Sequence, residues 1–378
     1  MIPMKRAGFF GILLLLILPL FSQSEEDKII EALQGYMVGT SYHYPDSVLS
    51  AFMPKANMFL ENREKELFLM KIEDYAGRID RSKAGEFNGR VSYILDIDRF
   101  GLIATAKLEV LIPAIEKRFI DYLLLRKLEG EWKIISKTAT SETSVRQGKK
   151  ALLIVSSACK QGKSDLPAGN SFSEVMLAYH GYQQAGYHVD ILSPKGGKVP
   201  LAYINPADSL HLAYLYDKEF MYRMANTLPP NKIRSSEYDI VQFTGGSAPI
   251  FDIPENKAIQ EIAMSIYEEH NGVIAAVCHG TAGIVNLKTE DGKYLIEGKN
   301  VNGVPDAQEN KSLAHYQHYP FIIETVMKER GGIFKHSDIR DPHMEVAGRL
   351  ITGQNSVSTE MVTKKSIEVS EALKEEAP

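Results

Sequence analysis

Short runs of nearly continuous apolar residues recur in the second half of the chain, and this rhythm restricts the fold more than any other feature. The runs occupy residues 151–156, 189–192, 240–243 and 273–277. Strands buried on both faces, as in parallel sheets, have this composition. Helices are predicted at 174–185, 320–330 and 358–373, and a further strand at 350–352. The pattern predicts a doubly wound α/β domain over residues 151–378, with ligands beyond the carboxyl ends of its strands.

In the first half of the chain, the predicted helices come before the predicted long strands. Apolar residues at helical spacing between Ile29 and Met37 predict an amphipathic helix, and Asp46 is a candidate cap for a second one. Strands are predicted at 91–97, 102–111, 119–128 and 132–138. This order is typical of an α+β domain, which we place at residues 25–142. The polar stretch 143–150 is the predicted linker, and two domains suit a chain of 378 residues.

The amino terminus has the features of a targeting segment. Lys5 and Arg6 precede an apolar stretch at 7–21, which is short for a membrane span but suits a signal peptide. A signal peptide over residues 1–24, cleaved near Ser24, predicts a secreted or periplasmic protein without membrane contact after cleavage. An uncleaved membrane anchor is the alternative.

Charge and cysteine content exclude two classes of protein. Lys and Arg number 43 and Asp and Glu number 48, for a formal net charge of −5. Binding nucleic acid through its phosphates needs an excess of positive charge, so nucleic acid is not an expected partner. Two cysteines cannot form a disulfide framework. Of the two, Cys159 is interpreted as structural.

The strongest chemical pattern lies at 272–283, where the sequence reads GVIAAVCHGTAG. A predicted strand ends at Cys278, and small residues open a helix directly after it, as in a nucleophile elbow. A helix start lowers the pKa of a thiol and offers N–H groups to an oxyanion. A lone cysteine at a strand end is otherwise a small buried apolar residue. Because His279 is adjacent, the pattern favours a nucleophile.

Four segments of the second domain resemble the PfpI/ThiJ superfamily, a branch of the class I glutamine-amidotransferase-like fold. They are Ala-Val-Cys-His-Gly at 276–280, the Ala-Gly-Tyr to Ser-Pro-Lys-Gly-Gly stretch at 185–197, Gly-Gly with Phe-Asp-Ile-Pro at 245–254, and Gly-Arg-Leu-Ile-Thr-Gly-Gln-Asn at 348–355. The resemblance spans about 149–373 and is greatest for the branch that contains heat-inducible chaperones and glyoxalase III proteins. It implies a flavodoxin-like α/β sandwich.

The resemblance also implies site residues. Cys278 would be the nucleophile and His279 its base, while Glu174 would hydrogen-bond the thiolate as a protonated acid. Taken alone, Glu174 is an ordinary acid at a helix start. The acidic partner of His279 would be Glu309, with Asp306 as the rival.

Further positions are implied for substrate binding. The N–H groups of Gly246 and His279 would bind an oxyanion. Ser247 stands where the family usually has a histidine, which leaves the substrate open. His315 and His318 are spaced like metal ligands, but no third ligand accompanies them, so no metal is expected. No cofactor is expected either, because the thiol and proton relays suffice.

The first domain resembles the lumazine-binding family, one of the nuclear-transport-factor-two-like folds, through the closing hairpin at 119–137 with Trp132. The resemblance implies a cone, in which a curved antiparallel sheet wraps around helices. Such domains include enzymes, small-ligand binders and dimerisation modules, so a homodimer is one alternative. His43 near Asp46 is the best candidate catalytic pair, although a binding or dimerisation role is favoured.

Three functions follow. The first is a cysteine-dependent enzyme of the glyoxalase III type, which converts a small 2-oxoaldehyde to the 2-hydroxy acid. The second is a chaperone or carbonyl-damage binder that uses an aromatic and methionine-rich insert at 203–234, which could equally be a buried cap over the active site. The third is a cysteine amidase or peptidase.

Overall fold

Each half of the chain forms its own six-stranded sheet in the computed structural model. Residues 24–62, 64–144, 148–312, 314–338 and 340–375 are described. The predicted signal peptide, apart from Ser24, lies outside these residues. In the described part of the chain, no helix is both long and apolar enough to cross a membrane.

The described residues of the first half form three α-helices and six strands. In chain order they are α1 (Glu25–Ser41), α2 (Pro45–Ala51), β1 (Phe52–Glu61), β2 (Leu67–Lys71), α3 (Ile72–Ala76), β3 (Val91–Phe100), β4 (Ile103–Ile112), β5 (Lys117–Leu128) and β6 (Glu131–Thr143). The strand order is β2-β1-β6-β5-β4-β3, and each neighbouring pair is antiparallel except β1 and β6. The helix α1 lies on one face of this sheet, where Ile29, Leu33 and Tyr36 are fully buried.

The predicted α1 and the four long strands are confirmed, whereas β1 and β2 are missing from the prediction. Asp46 is not the cap of α2. It lies in the first turn and forms an ion pair with Arg81, while Tyr44 is the capping residue. The description of this domain as a cone remains a prediction.

The second half alternates strands and helices. Its strands are β7 (Lys150–Ile154), β8 (Asn170–Ser171), β9 (His188–Leu192), β10 (Leu201–Ala202), β11 (Ile240–Phe243), β12 (Val273–Val277), β13 (Asn300–Val301), β14 (Ile333–Phe334), β15 (Met344–Ala347) and β16 (Leu350–Gly353). Its helices are α4 (Phe172–Gln184), α5 (Ser209–Leu215), α6 (Lys218–Ala225), α7 (Pro249–Asp252), α8 (Lys257–Glu268), α9 (Ile323–Glu329) and α10 (Thr359–Glu375).

The large sheet of this half has the order β15-β16-β12-β11-β7-β9, with β15 antiparallel at one edge and the other five strands parallel. Two separate apolar clusters cover its faces, one with α8 and one with α4. This arrangement is a two-domain α+β and α/β architecture, as the sequence predicts. The flavodoxin-like description is left as a prediction.

The two domains are in direct contact. The ring of Tyr93 on β3 stacks on His188 of β9 with centroids 3.6 Å apart. The Tyr222 hydroxyl on α6 donates a hydrogen bond of 2.7 Å to Glu26 on α1. Because β6 ends at Thr143 and β7 begins at Lys150, the connection is residues 144–149. The proposed domain boundaries remain a prediction.

Candidate active site

Cys278 occupies the point where β12 leaves the sheet, at the carboxyl end of the parallel strands. It has a φ of 56°, which is unusual for a residue other than glycine. A 3₁₀ helix over Cys278–Ile284 follows, in place of the α-helix that the sequence suggests. Gly280 is required here, because a Cβ atom at this position would lie 2.5 Å from the carbonyl oxygen of Phe243. The turn therefore holds the thiol above the sheet edge.

His279 lies between the thiol and an acid. Its Nδ1 is 3.6 Å from Cys278 Sγ, and its Nε2 is 2.7 Å from Glu309 Oε1. The rival acid Asp306 instead accepts hydrogen bonds from Lys311 and Tyr316, at 2.5 and 2.6 Å. Of the two acids that the sequence leaves open, Glu309 is therefore the one that contacts His279.

Glu174 reaches the thiol from the opposite side. It is fully buried in the first turn of α4, accepts a hydrogen bond of 2.7 Å from the Gly245 N–H and is hydrogen-bonded to Cys278. Gly245 permits this approach, since a Cβ there would lie 2.8 Å from Cys278 Cβ and 2.7 Å from Glu174 Oε2. Burial raises the pKa of Glu174 to about 7.

The thiol and this carboxyl titrate as a pair. Burial, and then the negative charge of Glu174, raise the pKa of the Cys278 thiol well above its ordinary value. The N–H groups of His279 and Gly246 donate to the sulfur and act in the opposite direction. These shifts place the ionisation of Glu174 near neutral pH and that of the Cys278 thiol well above its ordinary range. A thiolate at neutral pH remains a prediction.

The two N–H groups predicted as oxyanion donors both point at the sulfur. Ser247 lies beside them and accepts a hydrogen bond of 3.1 Å from the Gly169 N–H. It is also hydrogen-bonded to the Tyr203 side chain, which lies near the charges of Cys278 and Glu174. Ser247 therefore lies at the edge of the site, as the sequence predicts.

Two tyrosines of the site are missing from the sequence prediction. Tyr203 follows β10 with a φ of 57° and is mostly exposed. The Tyr319 hydroxyl is 3.1 Å from His279 Nε2, the same nitrogen that Glu309 contacts. Both lie in irregular segments, where neither periodicity nor a motif marks them.

The remaining candidates lie apart from this site. His43 contacts the Glu86 carbonyl rather than Asp46, so the suggested pair in the first domain does not form. His315 packs against Tyr319, and no group of three metal-ligating side chains is found in the described ranges. Cys159 is an exposed free thiol rather than a buried structural residue.

The insert at 203–234 serves mainly to pack the domains. Phe220 and Met224 of α6 are buried, and α6 lies against β3 of the first domain. Leu212 and Tyr216 are exposed. The apolar side chains of the insert are thus partly buried and partly exposed, and both the chaperone surface and the cap remain predictions.

Comparison with known proteins gives two family matches. Residues 169–368 match the DJ-1/PfpI family, and residues 24–139 match a model for lumazine-binding-like proteins. A Schizosaccharomyces pombe protein named glutathione-independent glyoxalase hsp3101 is 28% identical over 242 residues, 60% of this chain and 97% of the relative. Saccharomyces cerevisiae glutathione-independent glyoxalase HSP31 is 29% identical over 215 residues, 52% of this chain and 86% of the relative.

Solved structures agree on the fold of the second half. Francisella tularensis Rapid Encystment Protein 24 KDa matches with a TM-score of 0.55 and 27% identity over 59% of this chain and 99% of that one. Candida albicans glyoxalase III matches with a TM-score of 0.54 and 24% identity, covering 59% and 97% of the two chains.

Proposed function

The chain belongs to the DJ-1/PfpI family, and we propose that it is a cofactor-independent enzyme of the glyoxalase III type. Its substrate would be a small 2-oxoaldehyde such as methylglyoxal, and its product the 2-hydroxy acid. The names of the relatives, glutathione-independent glyoxalases, support this choice.

The observation that carries the proposal is a continuous line of contacts through the thiol. Glu309 contacts Nε2 of His279, Nδ1 faces Cys278, and Glu174 contacts the sulfur from the other side. The thiol thus has an imidazole on one side and a carboxyl on the other, and these groups can move the protons that nucleophilic addition to a carbonyl and the later steps require.

The first step forms a carbon–sulfur bond. His279 Nδ1 takes the thiol proton, and the resulting imidazolium donates its Nε2–H to Glu309. The sulfur attacks the aldehyde carbon, whose oxygen takes the electron pair of the C=O bond and then a proton from the imidazolium. The N–H groups of Gly246 and His279 stabilise the oxygen while it is charged. The product is a hemithioacetal on Cys278.

The second step moves hydrogen from the former aldehyde carbon to the former ketone carbon. Ionised Glu174 removes the C–H proton of the first carbon, and the electron pair of that bond forms an enediolate whose charge is on the oxygen of the second carbon. Glu174 then returns this proton to the second carbon, while the hydroxyl proton of the first carbon passes through His279 to the oxygen of the second carbon, which leaves a thioester on Cys278. Water then attacks the thioester, and the thiolate departs and regains its proton. The sum is 2-oxoaldehyde plus water giving 2-hydroxy acid, so no external oxidant or reductant is consumed.

The test is lactate formation from methylglyoxal without glutathione, by the wild type and by Cys278→Ala. We expect turnover in the wild type and a loss of at least about 10³-fold in the variant, since the covalent step needs the thiol. Cys159→Ser is the matched control, because it removes the other thiol, which is exposed, and should keep full activity. Turnover retained by Cys278→Ala, or its absence from the wild type, would refute the proposal.

We further propose that the protein is exported. The pattern of residues 1–24 supports this proposal. Protein recovered from the native host should begin near Glu25 by amino-terminal sequencing, and an intact Met1 would contradict export by cleavage.

A further inference from the structure

A cavity of about 530 Å³ lies between the two domains. One wall comes from α1 and β3 of the first domain, and the other comes from β9 and α6 of the second. Neither Cys278 nor the side chains that contact it line this space. Its volume and its position at a domain interface are typical of small-molecule sites.

The floor of the cavity is a buried group of charges arranged around Asp190. This carboxylate accepts hydrogen bonds from Tyr238 at 2.8 Å and His188 at 3.0 Å and forms an ion pair of 3.1 Å with Lys150. Arg223 Nη1 lies 3.4 Å from Asp190 Oδ1. The acid is therefore fully engaged, and it fixes the cations around it.

Two buried polar atoms, which belong to residues that line the cavity, have no hydrogen-bond partner within the described structure. They are the hydroxyl oxygen of Ser92 on β3 and Nε of Arg223 on α6. The Arg223 side chain is only 10% exposed. Buried polar groups in folded proteins are nearly always paired, so these two atoms, one from each domain, point to a missing partner.

The missing partner must accept hydrogen bonds. Arg223 Nε can only donate, and Ser92 can donate its hydroxyl hydrogen. Two of the acids that line the same space already have partners, since the Glu26 carboxylate accepts from the Tyr222 hydroxyl and the Asp27 carboxylate accepts from the N–H and hydroxyl of Ser24. A carboxylate satisfies two donors at once and pairs well with a guanidinium.

The wall of the first domain adds a requirement for apolar surface. Ile30 and Met37 of α1 and Ile94 of β3 line the cavity. We propose that the cavity binds a small organic carboxylate with an apolar group, held by Ser92 and Arg223 so that it bridges the two domains. This site is separate from the proposed catalytic function.

The test uses phenylacetate, with phenylacetamide as the uncharged probe of the same shape. Calorimetric titration is carried out on the full chain with Cys278→Ala, so that the reactive thiol takes no part. We expect phenylacetate to bind with a dissociation constant of about 1 mM or tighter, and phenylacetamide to bind at least about tenfold more weakly. Ser92→Ala and Arg223→Gln should each weaken the binding of phenylacetate by about tenfold.

Arg126→Gln is the matched control, since this exposed arginine of β5 lies outside the cavity. Ser92→Ala removes one oxygen atom without adding bulk, and thus keeps the test valid if Arg223→Gln fails to fold. The proposal is overturned if phenylacetate does not bind, if the amide binds equally well, or if Ser92→Ala binds like the parent. The last result would mean that a buried water is the partner of Ser92.

Discussion

At the residue scale, the acid that contacts His279 decides which imidazole nitrogen carries a proton. The Glu309 carboxylate can only accept a hydrogen bond, so Nε2 of His279 must carry a hydrogen. This leaves Nδ1 free to take the proton of Cys278. Tyr319 reaches the same Nε2 and helps to fix the ring.

Glu309→Gln should therefore lower kcat/KM by on the order of 10²–10⁴-fold, because the amide can donate to Nε2 and favour the wrong tautomer. Asp306→Asn is the matched control in the same segment. Its side chain contacts Lys311 and Tyr316 instead, and the rate should stay within about threefold. Steady-state kinetics with methylglyoxal measure kcat/KM for both variants. Equal losses would count against Glu309 as the acid that acts on His279.

Glu174 should also affect stability. Its pKa of about 7 in the folded protein exceeds the ordinary value of 4.5, so the folded state retains a proton that the unfolded state has lost between these pH values. The free energy of unfolding therefore falls by about 3 kcal/mol in all as the pH rises from 4.5 to 7, and this contribution is constant above pH 7.

Glu174→Gln should remove this loss and stabilise the protein at pH 8 relative to the wild type. Urea unfolding at pH 5 and pH 8 measures the free energy of unfolding of each protein. Glu86→Gln is the control, since Glu86 is exposed. A stability difference between wild type and Glu174→Gln that does not change with pH would show that burial of Glu174 has no such cost.

At the element scale, α6 shows how an insert can be held from two sides. Phe220 is fully buried against Phe172, Tyr179 and Tyr214, with ring centroids 5.0–5.7 Å apart. Tyr216, four residues earlier, is 82% exposed.

Phe220→Ala should destabilise the protein by about 3–5 kcal/mol, because it leaves a cavity in a packed aromatic cluster. Tyr216→Ala should change stability by less than about 0.5 kcal/mol. Denaturant titration compares them. If the two substitutions lower the free energy of unfolding by the same amount, the insert would be a loosely packed surface segment, as the chaperone hypothesis requires.

The elements that sequence predicts well are those with a clear period. The strands β3 to β6 are ten or more residues long and alternate over part of their length, and β7, β9, β11 and β12 are largely apolar. The strand β1 escapes prediction because Pro54 and Lys55, the latter with a φ of 63°, interrupt it, and its pairing with β6 shifts between Phe52 and Asn57.

The same distinction applies to the site. Cys278 and His279 lie at a strand end that periodicity and a motif mark. Glu174 and Glu309 need the resemblance, and even then Asp306 competes with Glu309. Tyr203 and Tyr319 depend on the paths of irregular segments, which local sequence does not encode.

At the scale of the whole molecule, Asp190 connects the domains. Although burial acts the other way, Lys150 and His188 hold its pKa well below the ordinary value. Lys150 in turn lies over the ring of Tyr93 from the first domain. Loss of this single charge would leave several buried donors unpaired.

Asp190→Asn should therefore destabilise the protein by about 3–5 kcal/mol and loosen the contact between domains. Asp98→Asn, on an exposed position of β3, is the control. Thermal unfolding followed by calorimetry should show a lower midpoint for Asp190→Asn alone. Unchanged unfolding would mean that solvent readily replaces the ion pairs.

The insert at 203–234 has a consequence for how such a protein can change over generations. Tyr203, at its start, lies near Cys278, and Tyr222, in α6, is hydrogen-bonded to the first domain. A substitution that improves docking of the first domain is thereby also tested by selection at the site of chemistry. We therefore expect the two halves of the chain to change together, so that replacing either by a homologous domain requires compensating substitutions in the other.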